Sequence, residues 1–176
     1  PYVVLICLAS KKVGAPVKWV EDKLEHLAAA AHAPNRLIKI DAAVKNDGTV
    51  TGFRFDQQDD YGAFLRAPMP GPLYRMHGIL TGAYDIKNLA VTNRVVMTNK
   101  CPSAMVRGFG GPQMYFAIER VMQKVAAELG MDPLEVIRKN LIPAGVFPYR
   151  AAAGALLDSG DYPRAIDQAV RDGNLE

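Results

Sequence analysis

Apolar positions dominate the first stretch of the chain. Residues 2 to 12 form an apolar run that ends in Lys11, Lys12 and Gly14. This pattern is typical of a buried helix with a basic last turn and a glycine stop. We therefore expect a helix here and place Cys7 in a core.

An alternating segment and a capped helix are predicted next. Ala15 to Asp22 alternates apolar and polar residues, which favours a short strand. Asp22 is suited to cap a helix that carries Leu24 and Leu27, and Pro34 would end that helix.

A β-hairpin is the clearest local pattern. Residues 38 to 44 place apolar side chains on one face, residues 46 to 48 read Asn-Asp-Gly, and residues 50 to 55 return as the partner strand. Gly52 shifts the alternation, as a β-bulge does.

Residues 57 to 71 are polar and rich in glycine and proline, which predicts a loop. Asp59 and Asp60 could be metal ligands or acid–base groups. Neighbouring carboxylates on an extended chain point to opposite faces, however, and no histidine lies close in sequence, so a solvated loop is favoured. Arg75 and His77 follow in a denser polar cluster, where a structural ion pair and a substrate contact both remain open.

A second strand leads into a glycine-rich loop. Residues 89 to 97 alternate, and residues 105 to 113 read M-V-R-G-F-G-G-P-Q. A helical pattern follows and stops at Gly130. Its apolar positions are expected in the core: Phe116, Ala117, Ile118, Val121, Met122, Val125, Ala126 and Leu129.

Two further helix starts are predicted. Asp132, Pro133 and Glu135 combine an N-cap, a proline at the first helical position and a capping-box glutamate. Asp161 and Pro163 suggest another start. The face of the first of these two helices would carry Leu134, Ile137 and Leu141. The elements together predict an α+β fold, a mixed sheet and hairpin with packed helices, with two possible subdomains at residues 1–98 and 99–176.

Composition narrows the classes of function. The chain has 176 residues, 49% hydrophobic and 22% charged, which suits a globular domain and excludes disordered and fibrous classes. A net charge of +3 with scattered basic residues gives nucleic-acid binding little support. No apolar run is long enough for a membrane span. The chain begins at Pro1 and is interpreted as an internal piece of a longer protein.

Metal and disulfide motifs are absent from the sequence pattern. Cys7 and Cys101 fit neither a zinc spacing nor a disulfide framework, and a reducing cytoplasm is the expected compartment. His26, His32 and His77 show no ligand spacing, so no metal held by histidines is predicted.

The glycine-rich loop is the candidate site. Gly108, Gly110 and Gly111 lack Cβ atoms, the following helix start offers free N–H groups, and Arg107 adds a positive fork. A turn that binds nothing is equally compatible with the loop alone. The predicted strands and helices do not alternate as they do in a Rossmann fold, and the loop has no Walker lysine. Both observations disfavour nucleotide binding.

The loop and its flanks resemble a known family. The stretch R-V-V-M-T-N-K-C-P-S-A-M-V-R-G-F-G-G-P-Q, followed by A-I-E-R and by L-G-M-D-P-L-E-V-I-R-K-N, resembles the molybdenum-cofactor subunit of the xanthine dehydrogenase and aldehyde oxidase family. P-V-K-W-V-E-D near the start and D-S-G-D-Y near the end also resemble that family, so essentially the whole chain is covered.

The resemblance implies roles for individual residues. Arg107 would lie against the molybdenum ligands as a catalytic and cofactor-binding residue. Gly108, Gly110 and Gly111 would let backbone groups reach the cofactor.

Two substrate contacts are also implied. Phe109 would face a planar substrate, and Arg75 would hold that substrate. Val106 stands where several purine-oxidising members have phenylalanine, so purine specificity stays open.

The implied activity is oxidative hydroxylation of an aromatic N-heterocycle, a purine or an aldehyde. It needs a molybdenum-pterin cofactor, as molybdopterin or its cytosine dinucleotide, with 2Fe–2S clusters and FAD on partner subunits or domains. The remainder of the molybdenum subunit is a further partner, and the piece is expected to be inactive alone. The carbon monoxide dehydrogenases of the family also resemble the chain, but they need a cysteine after the loop arginine for copper, and Gly108 occupies that position.

Two alternatives remain at this point. One is a non-catalytic truncated module that binds a partner chain or a small anion at the glycine loop. The other is a phosphate- or nucleotide-binding domain.

Overall fold

The computed structural model describes residues 2–67, 69–74 and 77–174. Two compact units divide the chain, one up to Ala31 and the other from His32 onward. The α+β class is confirmed. A subdomain boundary after residue 98 stays a prediction.

The first unit consists of two helices, α1 (Tyr2–Val13) and α2 (Lys23–Ala29). The predicted helix and its stop at Gly14 are confirmed, since Gly14 has a φ of +70°. The expectation of a buried helix is wrong, because α1 has no buried residue and Cys7 is exposed.

The link between these helices is not a strand, so that prediction is wrong. Residues 15 to 22 pair with no described strand, and a strand needs a hydrogen-bonded neighbour. Trp19 instead packs on Tyr2, with ring centroids 4.2 Å apart. The cap at Asp22 is confirmed as a capping box with Glu25.

A three-stranded sheet forms the centre of the second unit. Its order is β1 (Asn35–Val44), β2 (Val50–Asp60) and β3 (Asn88–Val96), with β1 antiparallel and β3 parallel to β2. The hairpin is confirmed. Its register shifts between Ala43 and Val44, directly beside Gly52.

Strand β2 runs to Asp60, so the predicted loop over residues 57 to 60 is wrong. The polar residues Gln57 and Asp59 continue the inward alternation of Phe53 and Phe55, and both are buried. A sequence pattern that counts only apolar residues as inward-facing ends this strand too early.

Helix α4 (Gly111–Leu129) packs against the sheet and forms the main core. Its buried residues confirm half of the predicted core positions: Ile118, Met122, Val125 and Ala126. Phe116 is 71% exposed and Leu129 is 37% exposed, so their placement in the core is wrong. The buried face of α4 runs through Gly111, Met114 and Ile118, and Phe116 lies outside it.

Three helices and a short hairpin complete the second unit. They are α3 (Gly71–Tyr74), α5 (Pro133–Asn140), β4 (Tyr149–Arg150), β5 (Leu156–Leu157) and α6 (Tyr162–Gly173), with short 3-10 turns at His77–Ile79 and Ala144–Val146. The caps at Asp132 and Asp161 are confirmed. None of the described helices combines the length and apolar character needed to cross a membrane.

The buried residues of α5 are Val136 and Asn140, whereas the predicted Leu134 and Ile137 are half-buried and Leu141 is buried. Asn140 accepts a hydrogen bond from the Val50 N–H at 2.7 Å. This buried amide ties α5 to the start of β2, and a polar residue at such a position lies outside the apolar pattern.

Candidate cofactor-binding site

The glycine-rich loop joins β3 to α4, as predicted, and is built from two tight turns. The Phe109 N–H donates to the Val106 carbonyl at 2.9 Å, and the Gly111 N–H donates to the Gly108 carbonyl at 2.9 Å. Gly108, Phe109 and Gly110 have φ values of +98°, +49° and +88°. Three successive residues with positive φ are unusual for L-amino acids and require glycine at most positions.

Close packing gives the glycines a structural role. A Cβ atom at Gly110 would lie 2.3 Å from the Pro72 carbonyl oxygen, and one at Gly108 would lie 2.8 Å from the ring of Pro112. These distances are shorter than van der Waals contact, so neither position tolerates a side chain in this conformation. Access of a ligand to the loop backbone stays a prediction beside this packing role.

The start of α4 offers fewer N–H donors than the sequence suggests. The Gly111 N–H is already bonded to Gly108, and Pro112 has no N–H. A ligand would therefore meet side chains as well as the helix terminus.

A cavity of about 200 Å³ lies beside the loop. We call it the loop pocket; it is lined by Ala33, Pro34, Pro72, Ala104, Val106, Arg107, Phe109, Gly110, Pro112 and Gln113. Of the predicted site residues, Arg107, Phe109 and Gly110 line it, whereas Gly108 and Gly111 do not. Arg107 is exposed and has no ion pair within the described ranges.

The ring of Phe109 rests on the backbone of Gly71. A Cβ atom at Gly71 would lie 2.9 Å from Cζ of Phe109, so glycine leaves room for the ring. The predicted substrate contact Arg75 lies outside the described residues. His77 is half-buried and bonds to Asn93, and burial together with the nearby Arg36 lowers its pKa.

Asp59 belongs to a buried ion pair, and its placement in a solvated loop is wrong. The Arg36 guanidinium donates to both Asp59 oxygens, at 2.5 and 2.7 Å, and both side chains are almost fully buried. The Tyr61 hydroxyl lies 3.1 Å from Asp59 Oδ2 and 3.3 Å from the Pro70 carbonyl oxygen, and donates between them. Burial and the Asp59 carboxylate raise the pKa of Tyr61.

Asp60 bonds to the segment that leads from β3 into the glycine-rich loop. Its placement in a solvated loop is therefore also wrong. Its carboxylate accepts hydrogen bonds from Lys100, Thr98 and the Gly62 N–H, which lower its pKa to about 2. Ser103 Oγ donates to the Asp60 carbonyl at 3.0 Å. Both aspartates lie at the end of strand β2. Treating residues 57 to 60 as a continuation of this strand, and not as a polar loop, would have identified them as structural residues.

The glycine-rich loop lies within a stretch that matches a known protein family. The model of the molybdopterin cofactor-binding domain matches residues 1–141. The chain belongs to this family.

Dehydrogenase subunits are among the individual relatives. The carbon monoxide dehydrogenase large chain of Hydrogenophaga pseudoflava is 34% identical over 97% of this chain and 22% of its own length. The 6-hydroxypseudooxynicotine dehydrogenase complex subunit gamma of Paenarthrobacter nicotinovorans is 29% identical over 99% of this chain and 23% of its own length.

The fold is shared with solved structures. The crystal structure of quinoline 2-oxidoreductase from Pseudomonas putida 86 matches 97% of this chain and 22% of its own, with a TM-score of 0.89 and 28% identity. The chain spans about a fifth of the length of these relatives.

The loop pocket suits a polar, anionic cofactor such as molybdopterin. Among the residues that the structure describes, no carboxylate pairs with Arg107, and the buried Oε1 atom of Gln113 has no hydrogen-bond partner. Both features favour a group with phosphate and hydrogen-bonding edges. No carboxylate lies among the described residues that line the pocket.

Proposed function

We propose that this chain forms part of a molybdenum hydroxylase and that its glycine-rich loop holds the molybdenum-pterin cofactor. The observation that carries the proposal is the loop pocket, where Arg107, Phe109 and Gln113 meet inside the stretch matched by the family model. When bound, the cofactor supplies the two-electron oxidation that inserts a water-derived oxygen into the substrate.

Arg107 is proposed to bind the polar groups around the metal. Its planar guanidinium carries a positive charge and presents several N–H donors in a fixed geometry. Gln113 adds an amide at the same wall of the pocket. Backbone groups at Gly108, Gly110 and Gly111 complete the proposed cofactor contacts, and Gly110 keeps the turn close to Pro72.

Phe109 is proposed to orient a planar substrate by stacking, and Arg75 to hold its polar edge. An aromatic face fixes the plane of a flat ring without demanding particular hydrogen bonds. Among N-heterocycles, purines and aldehydes, the first class is favoured, because one structural neighbour is named for quinoline, a planar nitrogen heterocycle.

Oxidation of carbon monoxide is not proposed for this chain, although carbon monoxide dehydrogenases are among its relatives. Copper(I) needs a soft ligand such as thiolate, and position 108 is glycine. The backbone there also opposes a cysteine, because a Cβ atom would meet the Pro112 ring at 2.8 Å.

The partners follow from the same proposal. The rest of the molybdenum subunit would complete the cofactor site, and iron–sulfur and FAD subunits or domains would accept the electrons. One relative is the gamma subunit of a dehydrogenase complex, which supports an assembly of several subunits.

Metal analysis of the complete, natively expressed protein tests this function. We expect about one molybdenum per copy of this chain, together with iron. Arg107→Ala should lower molybdenum content or turnover, whereas Arg120→Ala, an exposed arginine of α4 that bonds to Gln123, should change neither. A protein with neither metal would contradict the proposal and support a non-catalytic module. Tight binding of nucleoside phosphates by such a metal-free protein would identify the phosphate-binding alternative.

A further inference from the structure

The loop pocket has a second wall that the glycine loop does not provide. Gly71 lies under the ring of Phe109, and the Pro72 carbonyl lies against Gly110. Residues 70 to 72 therefore set where both loop residues can sit. Whatever fixes this short segment also fixes the aromatic side chain of the pocket.

Tyr61 makes the contact that ties this segment to the sheet. Its side chain is fully buried, and its hydroxyl reaches the Pro70 carbonyl oxygen at 3.3 Å. The same carbonyl accepts the Leu73 N–H at 3.0 Å, at the start of α3. The hydroxyl is thus placed at the first turn of the segment that seats Phe109.

The hydroxyl is itself held in place. Its other contact is Oδ2 of the Asp59 carboxylate, and that carboxylate accepts one hydrogen bond from Arg36 at each of its two oxygens. Arg36 and Asp59 face each other in register across β1 and β2. A rigid sheet, a buried ion pair and one tyrosine hydroxyl form a continuous path to the segment at residues 70 to 72.

We propose that Tyr61 is a positioning residue for Phe109, because its hydroxyl holds Pro70 and so fixes the backbone seat of the aromatic ring. The inference rests on the proposed function, since the substrate contact of Phe109 belongs to that proposal. Tyr61 itself is not among the residues that line the loop pocket.

Tyr61→Phe removes the hydroxyl and leaves the buried ring. The matched control is Tyr84→Phe, because Tyr84 is also buried and its hydroxyl also bonds to a carboxylate, Glu119 Oε2 at 2.7 Å. Tyr84 belongs to the main core and does not line the loop pocket. Each variant removes the hydroxyl of one buried tyrosine, so a general loss of stability would appear in both.

Hydrogen–deuterium exchange of the complete protein tests the contact path directly. In Tyr61→Phe we expect faster exchange in peptides that cover residues 105 to 113, which contain the bonded Phe109 and Gly111 amides. Tyr84→Phe should leave that exchange at the wild-type rate. Equal exchange of the loop in Tyr61→Phe and wild type would overturn the proposal, whether or not the protein carries molybdenum.

A double-mutant cycle tests whether Tyr61 acts through Phe109. The probe is quinoline, with its dissociation constant measured by calorimetry under non-turnover conditions and its KM and kcat measured with an artificial electron acceptor. Tyr61→Phe should weaken quinoline binding about fivefold, the usual effect of one lost hydrogen bond, and raise KM more than it lowers kcat. Molybdenum content should stay at the wild-type value.

In the Phe109→Ala background, Tyr61→Phe should have almost no further effect on quinoline binding, because the residue it positions is gone. Additive effects of the two substitutions would contradict the proposal. If wild-type protein contains molybdenum and Phe109→Ala leaves binding unchanged, the proposed stacking role is wrong, and the exchange experiment still decides whether Tyr61 holds the loop.

Discussion

Gly110 combines two constraints that act on a single residue. Its φ is +88°, and the Pro72 carbonyl oxygen would lie 2.3 Å from any Cβ atom. Gly130, at the C-terminus of α4, has a φ of +65° but open space around the Cβ position. The two glycines therefore separate the cost of backbone conformation from the cost of steric overlap.

Gly110→Ala is expected to destabilise the complete protein more than Gly130→Ala. The left-handed conformation alone costs an alanine about 1–2 kcal/mol, and the overlap at Gly110 should raise the total to roughly 3 kcal/mol or more. Thermal unfolding of the two variants measures the difference, and molybdenum content should fall only for Gly110→Ala. Equal unfolding midpoints would contradict the packing seen at Pro72.

Asp60 makes stability depend on pH. Lys100, Thr98 and the Gly62 N–H lower its pKa from 3.8 to about 2, so the folded protein favours the charged carboxylate more than the unfolded chain does. The stabilisation is fully present above the unfolded pKa and is lost as the pH falls toward 2. Asp60→Asn should therefore lower the unfolding temperature at pH 6, and the gap to wild type should narrow below pH 4. A gap that stays constant down to pH 2 would show that the carboxylate is not paired.

At the residue scale, the helix caps could be predicted from the sequence. Asp22, Asp132 and Asp161 cap helices as expected, because a side chain that accepts an N–H at a helix start acts over three residues of sequence. The partners of Asp59 and Tyr61 could not be predicted, since Arg36 and Pro70 reach them only through strand pairing and chain reversal.

At the scale of an element, strand β2 carries two kinds of ion pair on its two faces. Asp59 pairs with Arg36 in the interior. Asp56 pairs with Arg94 at 2.5 Å, and both of these side chains are about half exposed. The two aspartates share a strand and differ mainly in burial, so they form a matched pair for mutation.

Asp59→Ala is expected to destabilise the fold by about 3–5 kcal/mol, because it leaves the buried Arg36 charge without a partner. Asp56→Ala should cost at most about 1 kcal/mol, since water already solvates that pair. Thermal unfolding of the complete protein, with soluble yield as a second measure, compares them. The double variant Asp59→Leu with Arg36→Met should recover part of the stability that Asp59→Ala loses. If it recovers none, the unpaired Arg36 charge is not the cause of that loss.

The elements themselves were predicted to different degrees. The hairpin, β3 and α4 follow from strong local periodicity, and their positions are confirmed. The strand assigned to residues 15 to 22 is wrong because alternation alone does not supply a neighbouring strand. The true end of β2 was missed because its last inward-facing residues are polar, and the partner of Asp59 lies on another strand.

At the scale of the whole molecule, the proposed function requires that this chain supply only one wall of a larger site. It spans about a fifth of the length of its relatives, and its loop pocket of about 200 Å³ contains no carboxylate among the described lining residues. A general base must lie within hydrogen-bond reach of the proton it removes. The family could be recognised from the loop and its flanks, whereas the substrate depends on walls that other parts of a hydroxylase would supply.

Residues 1 to 176 expressed alone are therefore expected to retain no molybdenum cofactor and to show no turnover. Val3, Val4, Leu5 and Leu8 of α1 are more than half exposed, so the isolated piece should also bind an apolar dye strongly. The measurement compares molybdenum per chain, dye fluorescence and oxidation of quinoline for the isolated piece and for the complete protein prepared in parallel. Stoichiometric molybdenum in the isolated piece would mean that other parts of the protein are not needed to hold the cofactor. Measurable oxidation of quinoline would mean that they are not needed to remove the proton.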